Sequence, residues 1–247
     1  MNKLDLKSVA IIAVTSGEEI ECIKAIEYSS RKIKFSKYLI FSDKIPKIKH
    51  KYINFIKIKK LKNISDWGKF IIFELHKFIK DERILLIHPD GFVVNPHTWK
   101  DEFLKYDYIG SPWKVPNDNK THRDFYGNLI RVGNSVSLRS KKILELPSKL
   151  NLKWENFDLD FPYEDGYLCV QNRHLLIKEG INYAPFELAC YFGREAPLKE
   201  NINLHPFVFH KWDGPNKNYP CFNIKKKIKF LIKNFFKKIM NKILNLA

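Results

Sequence analysis

The sequence predicts an α/β domain with a mostly parallel central sheet flanked by helices, followed by a C-terminal amphipathic helix. Three observations lead there. Strand-length apolar runs alternate with helix-length amphipathic stretches through the first third of the 247 residues. The runs Val9–Val14 and Ile84–Ile87 are continuously apolar, as strands covered on both faces are. Residues 223–247 interleave lysines with bulky apolar residues at helical spacing and contain no acid.

The elements follow in order. Residues 8–15 read as a central parallel strand ending in small polar residues, the last of them Thr15. Residues 18–33 form a helix, with acids in the first turn and Ile20, Ile23 and Ile26 along one side. Strands are expected at 37–41 and 52–58. Ser65-Asp66 is the expected cap of a helix that carries Phe70, Phe73, Leu75 and Phe78 and ends near Asp81. The strand at 84–87 then runs into His88-Pro89-Asp90-Gly91. Beyond Trp99 the pattern loosens. A strand and turn are expected at 107–113, a polar loop at 117–126, a strand at 132–139 and a short helix at 140–146, stopped by Pro147. A helix at 162–179 ends at Gly180, with short strands at 181–184 and 189–192. These elements make one domain over 1–222 and a separate basic helix over 223–247.

Composition narrows the class. Hydrophobic residues make up 45% and aromatics 14%, which describes a folded core and excludes a disordered chain. The formal charge of +17 points to an anionic partner, although Lys, Ile and Asn enrichment is also what an AT-rich coding sequence produces. The four cysteines, at 22, 169, 190 and 221, have no C-x-x-C or metal-ligand spacing, so free thiols in a reducing compartment are expected. With no signal peptide expected at Met1 and no bilayer-length apolar segment, the expected location is cytoplasmic.

Two acidic sites stand out. Asp90 interrupts an apolar run at the carboxyl end of a strand, where parallel sheets bind ligands. Asp-Gly is also an ordinary turn dipeptide, and both readings stay open. Glu164 and Asp165 open a helix, where acids also complement the macrodipole.

Four segments in order carry a resemblance: His88-Pro89-Asp90-Gly91-Phe92, Asp107-Tyr108-Ile109-Gly110-Ser111-Pro112-Trp113, Gly133-Asn134-Ser135-Val136-Ser137-Leu138-Arg139-Ser140 and Tyr163-Glu164-Asp165. They resemble the pattern Q-x-D-G-F, D-Y-I-G-A-P-W, G-N-G-G-F-S-L-R-S, P-E-D of a bacterial and viral family grouped with GT-A-type glycosyltransferases. The same order is similar to galactosyltransferases in which a metal-binding acidic motif precedes a Gly-Gly-x-Ser strand and a Glu-Asp pair. The resemblance implies a GT-A-like, Rossmann-like fold and a nucleotide-diphosphate-sugar donor.

The implied chemistry assigns roles. Negative charge develops on the diphosphate leaving group, and a divalent cation (manganese or magnesium) with oxygen ligands stabilises it. The resemblance gives that cation to Asp90, with a late histidine, His210 rather than His205, as a further ligand. A single Asp replaces an Asp-x-Asp motif. Asp165 is the expected general base of an inverting transfer, with Glu164 positioning the acceptor or sharing the role. Thr15, Asp90, Gly91, Asn134, Ser135 and Arg139 are the expected donor contacts. Ser135 and Val136 replace two family glycines, which should narrow the sugar site or shift donor choice, or mark a non-catalytic saccharide-binding copy. Trp99 and Trp113 are expected in the core rather than as sugar platforms.

The tail stripe Ile228, Leu231, Ile232, Phe235, Phe236, Ile239, Ile243 and Leu246, flanked by lysines, fits a helix lying in an anionic membrane interface. A helix packed on the domain is the alternative. The expected partners are therefore a nucleotide-sugar donor, a saccharide or lipid-linked acceptor, and the inner face of a membrane, in lipopolysaccharide, capsule or glycan assembly. Nucleic acid is the partner suggested by charge alone, and it is not expected, because the densest charge sits in the amphipathic tail.

Overall fold

A computed structural model describes residues 3–47, 50–154 and 163–223, together with 227, 228, 230 and 232. Its centre is a six-stranded sheet in the order β5-β4-β2-β6-β8-β7. Strands β2 (Val9–Thr15), β4 (Tyr38–Ser42), β5 (Asn54–Lys57) and β6 (Arg83–Ile87) are parallel. β8 (Val132–Ser140) runs antiparallel to β6 and to β7 (Tyr108–Pro112). A two-stranded parallel ribbon, β1 (Leu4–Leu6) with β3 (Ile33–Phe35), lies outside this sheet.

The continuous apolar run of β2 is explained by double coverage. Val9, Ile11 and Ala13 join one core with Cys22, Ala25 and Ile26 of α1 (Glu19–Ser29). Ala10, Ile12 and Val14 face the other way and pack with Trp67 of α2 (Ile64–Lys69) and with Phe70, Ile71 and Leu75 beyond it. Alternate residues thus feed opposite layers, as the pleat requires.

Several expectations are corrected. The cap of α2 is Asn63, whose side chain accepts the Asp66 N–H at 2.9 Å, not Ser65-Asp66. The helix then passes into a π turn at Phe70–Glu74 and a 3₁₀ turn at Leu75–Phe78. Pro147 does not stop its helix: α3 runs Lys141–Lys149 through it. The proline leaves the Ile143 carbonyl without its helical donor, and its ring is buried along with Leu144 and Leu146. The helix expected at 162–179 is three pieces, α4 (Glu164–Gly166), a π turn at Tyr167–Gln171 and α5 (Arg173–Lys178); residue 162 lies outside the described residues.

Residues 181–184 make only an isolated bridge between Tyr183 and Tyr108. Residues 189–192 belong to helix α6 (Phe186–Phe192), entered from an extended Pro185, which presets a helix start. Two short parallel strands follow, β9 (Gly193–Arg194) and β10 (Val208–Phe209). The helix expected over 223–247 falls almost wholly outside the described residues. At its start Phe230 sets its ring edge-on to Trp212 at 5.2 Å, and Lys217 Nζ lies 4.2 Å from the Phe230 ring. No helix among the described residues is long and apolar enough to cross a membrane. All four cysteines are free.

Candidate active site

The order of the parallel strands reverses direction between β2 and β6: β4 and β5 continue to one side of β2, and β6 lies on the other. Such a switch point opens a crevice beyond the strand ends. Ala13 of β2 pairs with Ile87 of β6, so Thr15 and His88 emerge just past the last rung. Both line a cleft of about 1970 Å³, whose walls include Trp67, Trp113, Asn134, Asp165, Glu195 and His210. That volume exceeds the range of about 300–1,000 Å³ usual for a single small ligand.

His88-Pro89-Asp90-Gly91 is a tight turn. The His88 N–H donates to the Gly91 carbonyl at 2.7 Å, and the Gly91 N–H returns to the His88 carbonyl at 3.1 Å. Asp90 is a turn residue, and the turn stands at the end of a central strand; His88 and Pro89 of this turn line the cleft. After it the chain doubles onto β10. Phe209 N–H donates to the Phe92 carbonyl at 3.2 Å, and Val94 N–H to the Phe207 carbonyl at 2.9 Å. This pairing brings His210 Nε2 to 3.9 Å from Asp90 Oδ1. Gly91 is where the two segments touch: an added Cβ would meet Val136 Cγ2 at 2.6 Å and His210 Cδ2 at 2.8 Å. The glycine is buried and serves this close approach, not a ligand contact.

Asn134 stands at an irregularity in β8, where the register against β7 shifts between Gly110 and Pro112. Its φ of 87° is one that L residues rarely adopt and that Asn tolerates better than most. Three hydrogen bonds hold it there. Its side chain accepts the Val136 N–H at 3.0 Å and donates to Glu195 at 2.8 Å, and its carbonyl accepts from the Tyr108 hydroxyl at 2.6 Å. The bulge turns Ser135 toward the cleft and Val136 into the core. The expected narrowing by Ser135-Val136 is thus confined to Ser135.

Arg139 and Glu164 do not face the cleft. They form an ion pair at 2.7 Å with both side chains sealed, 0% and 1% exposed. Arg139 Nε also donates to Ser137 Oγ at 2.8 Å. Full burial corrects the expectation that Arg139 touches the donor and that Glu164 touches the acceptor. Asp165, the next residue, does line the cleft. Burial, and then the charge of Glu164, push its carboxyl up to about 7. Tyr167, two residues on, stacks on Trp154 at 5.2 Å and fixes this wall.

The histidines make a second focus. The His88 and His210 rings stack at 5.1 Å, and the Trp67 indole lies 5.1 Å from His88 on α2's side. Burial lowers the pKa of both, so both are neutral imidazoles at pH 7. His88 Nε2 and His210 Nδ1 are buried without a hydrogen-bond partner. The Asp90 carboxylate suits a hard cation such as manganese or magnesium, and the neutral imidazole nitrogens beside it are the softer part of a mixed donor set. No preformed cluster of three or more His, Cys, Asp or Glu ligands exists among the described residues. His205 is exposed.

Sequence reasoning missed His88 as a separate group, and it missed Glu195. Glu195 accepts from Asn134, pairs with Lys211 and lies 3.9 Å from His210 Nδ1. His88 sits inside the quoted motif, whereas nothing local marks Glu195. Trp113 is largely buried but keeps contact with the cleft, stacked on His122 at 4.2 Å. Trp99 packs against Phe103 and Phe207, as expected of core.

No curated protein matches the chain. Among solved structures, the galactosyltransferase LgtC, in complex with donor and acceptor sugar analogs, superposes with a TM-score of 0.54 at 13% identity, covering 88% of this chain and 94% of that one. A glycosyltransferase involved in glycosylation of the major capsid of PBCV-1 gives 0.48 at 14% identity, over 85% and 95%. The glycosyltransferase GlyE of Streptococcus pneumoniae TIGR4 gives 0.45 at 10% identity, and the chain, with 89% of its own length covered, spans 56% of GlyE. The LgtC likeness shows a GT-A-like glycosyltransferase fold. The family described as "Protein of unknown function (DUF5672)" matches residues 51–210, more than half of the sequence, and the chain belongs to that family.

Proposed function

We propose that the chain is a glycosyltransferase that moves a sugar from a nucleotide-diphosphate donor to a saccharide or lipid-linked acceptor, with inversion, in cell-surface polysaccharide or glycan biosynthesis. The observation that carries this reading is that Asp165 lines a switch-point cleft whose wall also includes His88 and His210, the latter 3.9 Å from Asp90. A carboxyl raised toward neutrality suits a base that takes the acceptor hydroxyl's proton as the anomeric bond breaks. Thr15, Asn134 and Ser135 line the same cleft and offer hydrogen bonds to the donor. Glu164, locked to Arg139, holds the turn that presents Asp165.

Asp90 and His210, with His88 beside them, would hold a divalent cation, manganese or magnesium. When bound, it offsets charge on the diphosphate leaving group. The basic tail would dock the enzyme reversibly on the anionic inner face of a membrane, at about 1 kcal/mol per lysine near the surface before screening, and so near a lipid-linked acceptor. On this reading the protein acts from the cytoplasm.

The test is a thermal-shift screen of nucleoside diphosphates and nucleotide sugars, with and without manganese. Uridine or deoxythymidine diphosphate should stabilise the fold through linkage, by about 2.7 kcal/mol at a hundredfold excess over Kd. No shift with any nucleotide would remove the donor reading.

A further inference from the structure

Phe125 and Tyr126 are each 71% exposed, the most exposed aromatic side chains among the described residues, and Phe125 lines the cleft. Their loop is not loose. Asp124 caps it from within, accepting the N–H groups of Tyr126 at 3.0 Å and Asn128 at 2.8 Å. Gly127 supplies the left-handed φ of 80° that the tight turn needs, and an Arg123–Leu129 bridge closes the base. Phe125 lies face to face with His174 at 4.4 Å and 20°, and Tyr126 stands perpendicular to Phe125 at 5.3 Å. One face of the Phe125 ring is therefore supported and the other is open.

His174 belongs to α5, the continuation of the segment that carries Asp165. The two residues are nine positions apart, with the π turn at Tyr167–Gln171 and the break at Asn172 between them. The platform is thus backed by the same segment that carries the candidate base, at a separate position along it. Thr121, Arg123 and Gln171 line the same cleft with hydrogen-bonding groups. An apolar face rimmed by polar groups matches a saccharide, whose C–H face stacks while its hydroxyls bond at the edge. The loop mixes Asp118 and Asp124 with Lys120 and Arg123, so it lacks the one-sided positive charge that an anionic leaflet selects.

We propose that Phe125, backed by His174 and flanked by Tyr126, is an acceptor subsite that stacks a sugar ring remote from the reacting hydroxyl, so that the acceptor is an oligosaccharide rather than a monosaccharide. The proposal rests on the glycosyltransferase reading and names the acceptor class for the same cleft. Remote contacts of this kind supply binding energy away from the reacting centre.

The test is saturation-transfer NMR on the full chain, with and without uridine diphosphate. The probes are glucose-, galactose- and N-acetylglucosamine-containing glycosides, from monosaccharide to tetrasaccharide. Oligosaccharides should bind with transfer into the ring furthest from the acceptor end, and Phe125→Ala should weaken them about tenfold, with Tyr126→Ala weaker in effect. Thermal denaturation of both variants should match the wild type, because neither ring belongs to the core. Equal binding by wild type and Phe125→Ala, monosaccharides binding as tightly as longer glycans, or no saccharide binding at all would overturn the subsite. So would loss, in the variants, of binding to phosphatidylglycerol–phosphatidylethanolamine vesicles with saccharide binding unchanged. Nucleotide binding is read separately in the wild type, so failure of the subsite and failure of the donor reading remain distinct.

Discussion

Asp165 carries two consequences at the residue scale. Its folded pKa of about 7 lies above the ordinary value of 3.8. Between those values the folded state holds a proton that the unfolded chain has released, so stability falls as pH rises through this window. Asp165→Asn should therefore raise the thermal midpoint at pH 8 by about 2–4 °C, on the order of 1 kcal/mol, and leave it unchanged at pH 4. Differential scanning calorimetry at the two pH values checks this, and an equal effect at both would show that charge burial is not the cause. As a base, Asp165 must be ionised, so turnover should climb through pH 7. The Arg139–Glu164 pair behaves differently, because removing one partner strands a buried charge. Glu164→Gln should cost about 3–5 kcal/mol in urea unfolding, and Arg139→Met with Glu164→Leu should recover most of it. The sequence marked Asp90 at a strand end and Asp165 at a helix start, because both are local features. It did not show that Arg139 is swallowed by Glu164, since burial depends on how β8 and the segment after Tyr163 close on each other.

At the scale of elements, β7 and β8 meet through glycines. A Cβ on Gly133 would lie 1.9 Å from Trp113 Cζ2, and one on Gly110 would lie 1.8 Å from the Gly133 carbonyl oxygen. Gly133→Ala should destabilise the fold by about 1–3 kcal/mol through overpacking and disturb the Asn134 bulge. Unfolding by urea with near-ultraviolet circular dichroism of Trp113 measures both, and an unaffected midpoint would contradict the packing described. The parallel strands β2, β4 and β6 were legible because doubly buried strands are apolar throughout. The 189–192 segment was misread because four apolar residues fit a strand or a helix, and only Pro185 and the length of α6 separate them. β9 and β10 are too short to read. Their pairing is long-range, so Glu195, positioned by it, was invisible to any local pattern.

At the scale of the molecule, the reversal of strand order between β2 and β6 creates the cleft, the segment after β6 folds back on β10 to close one side, and the segment from Glu164 to Lys178 closes another. Fold class was readable because it follows from alternation alone; the site was half readable because its residues come from stretches far apart in the chain. The central claim is that this cleft transfers sugar. Release of nucleoside diphosphate from uridine and deoxythymidine diphosphate sugars by the purified chain tests it most directly. The account predicts release that rises through pH 7 and falls at least a hundredfold in Asp90→Asn and in Asp165→Asn. Release equal in wild type and both variants, or none from any donor that the wild type binds, would contradict it.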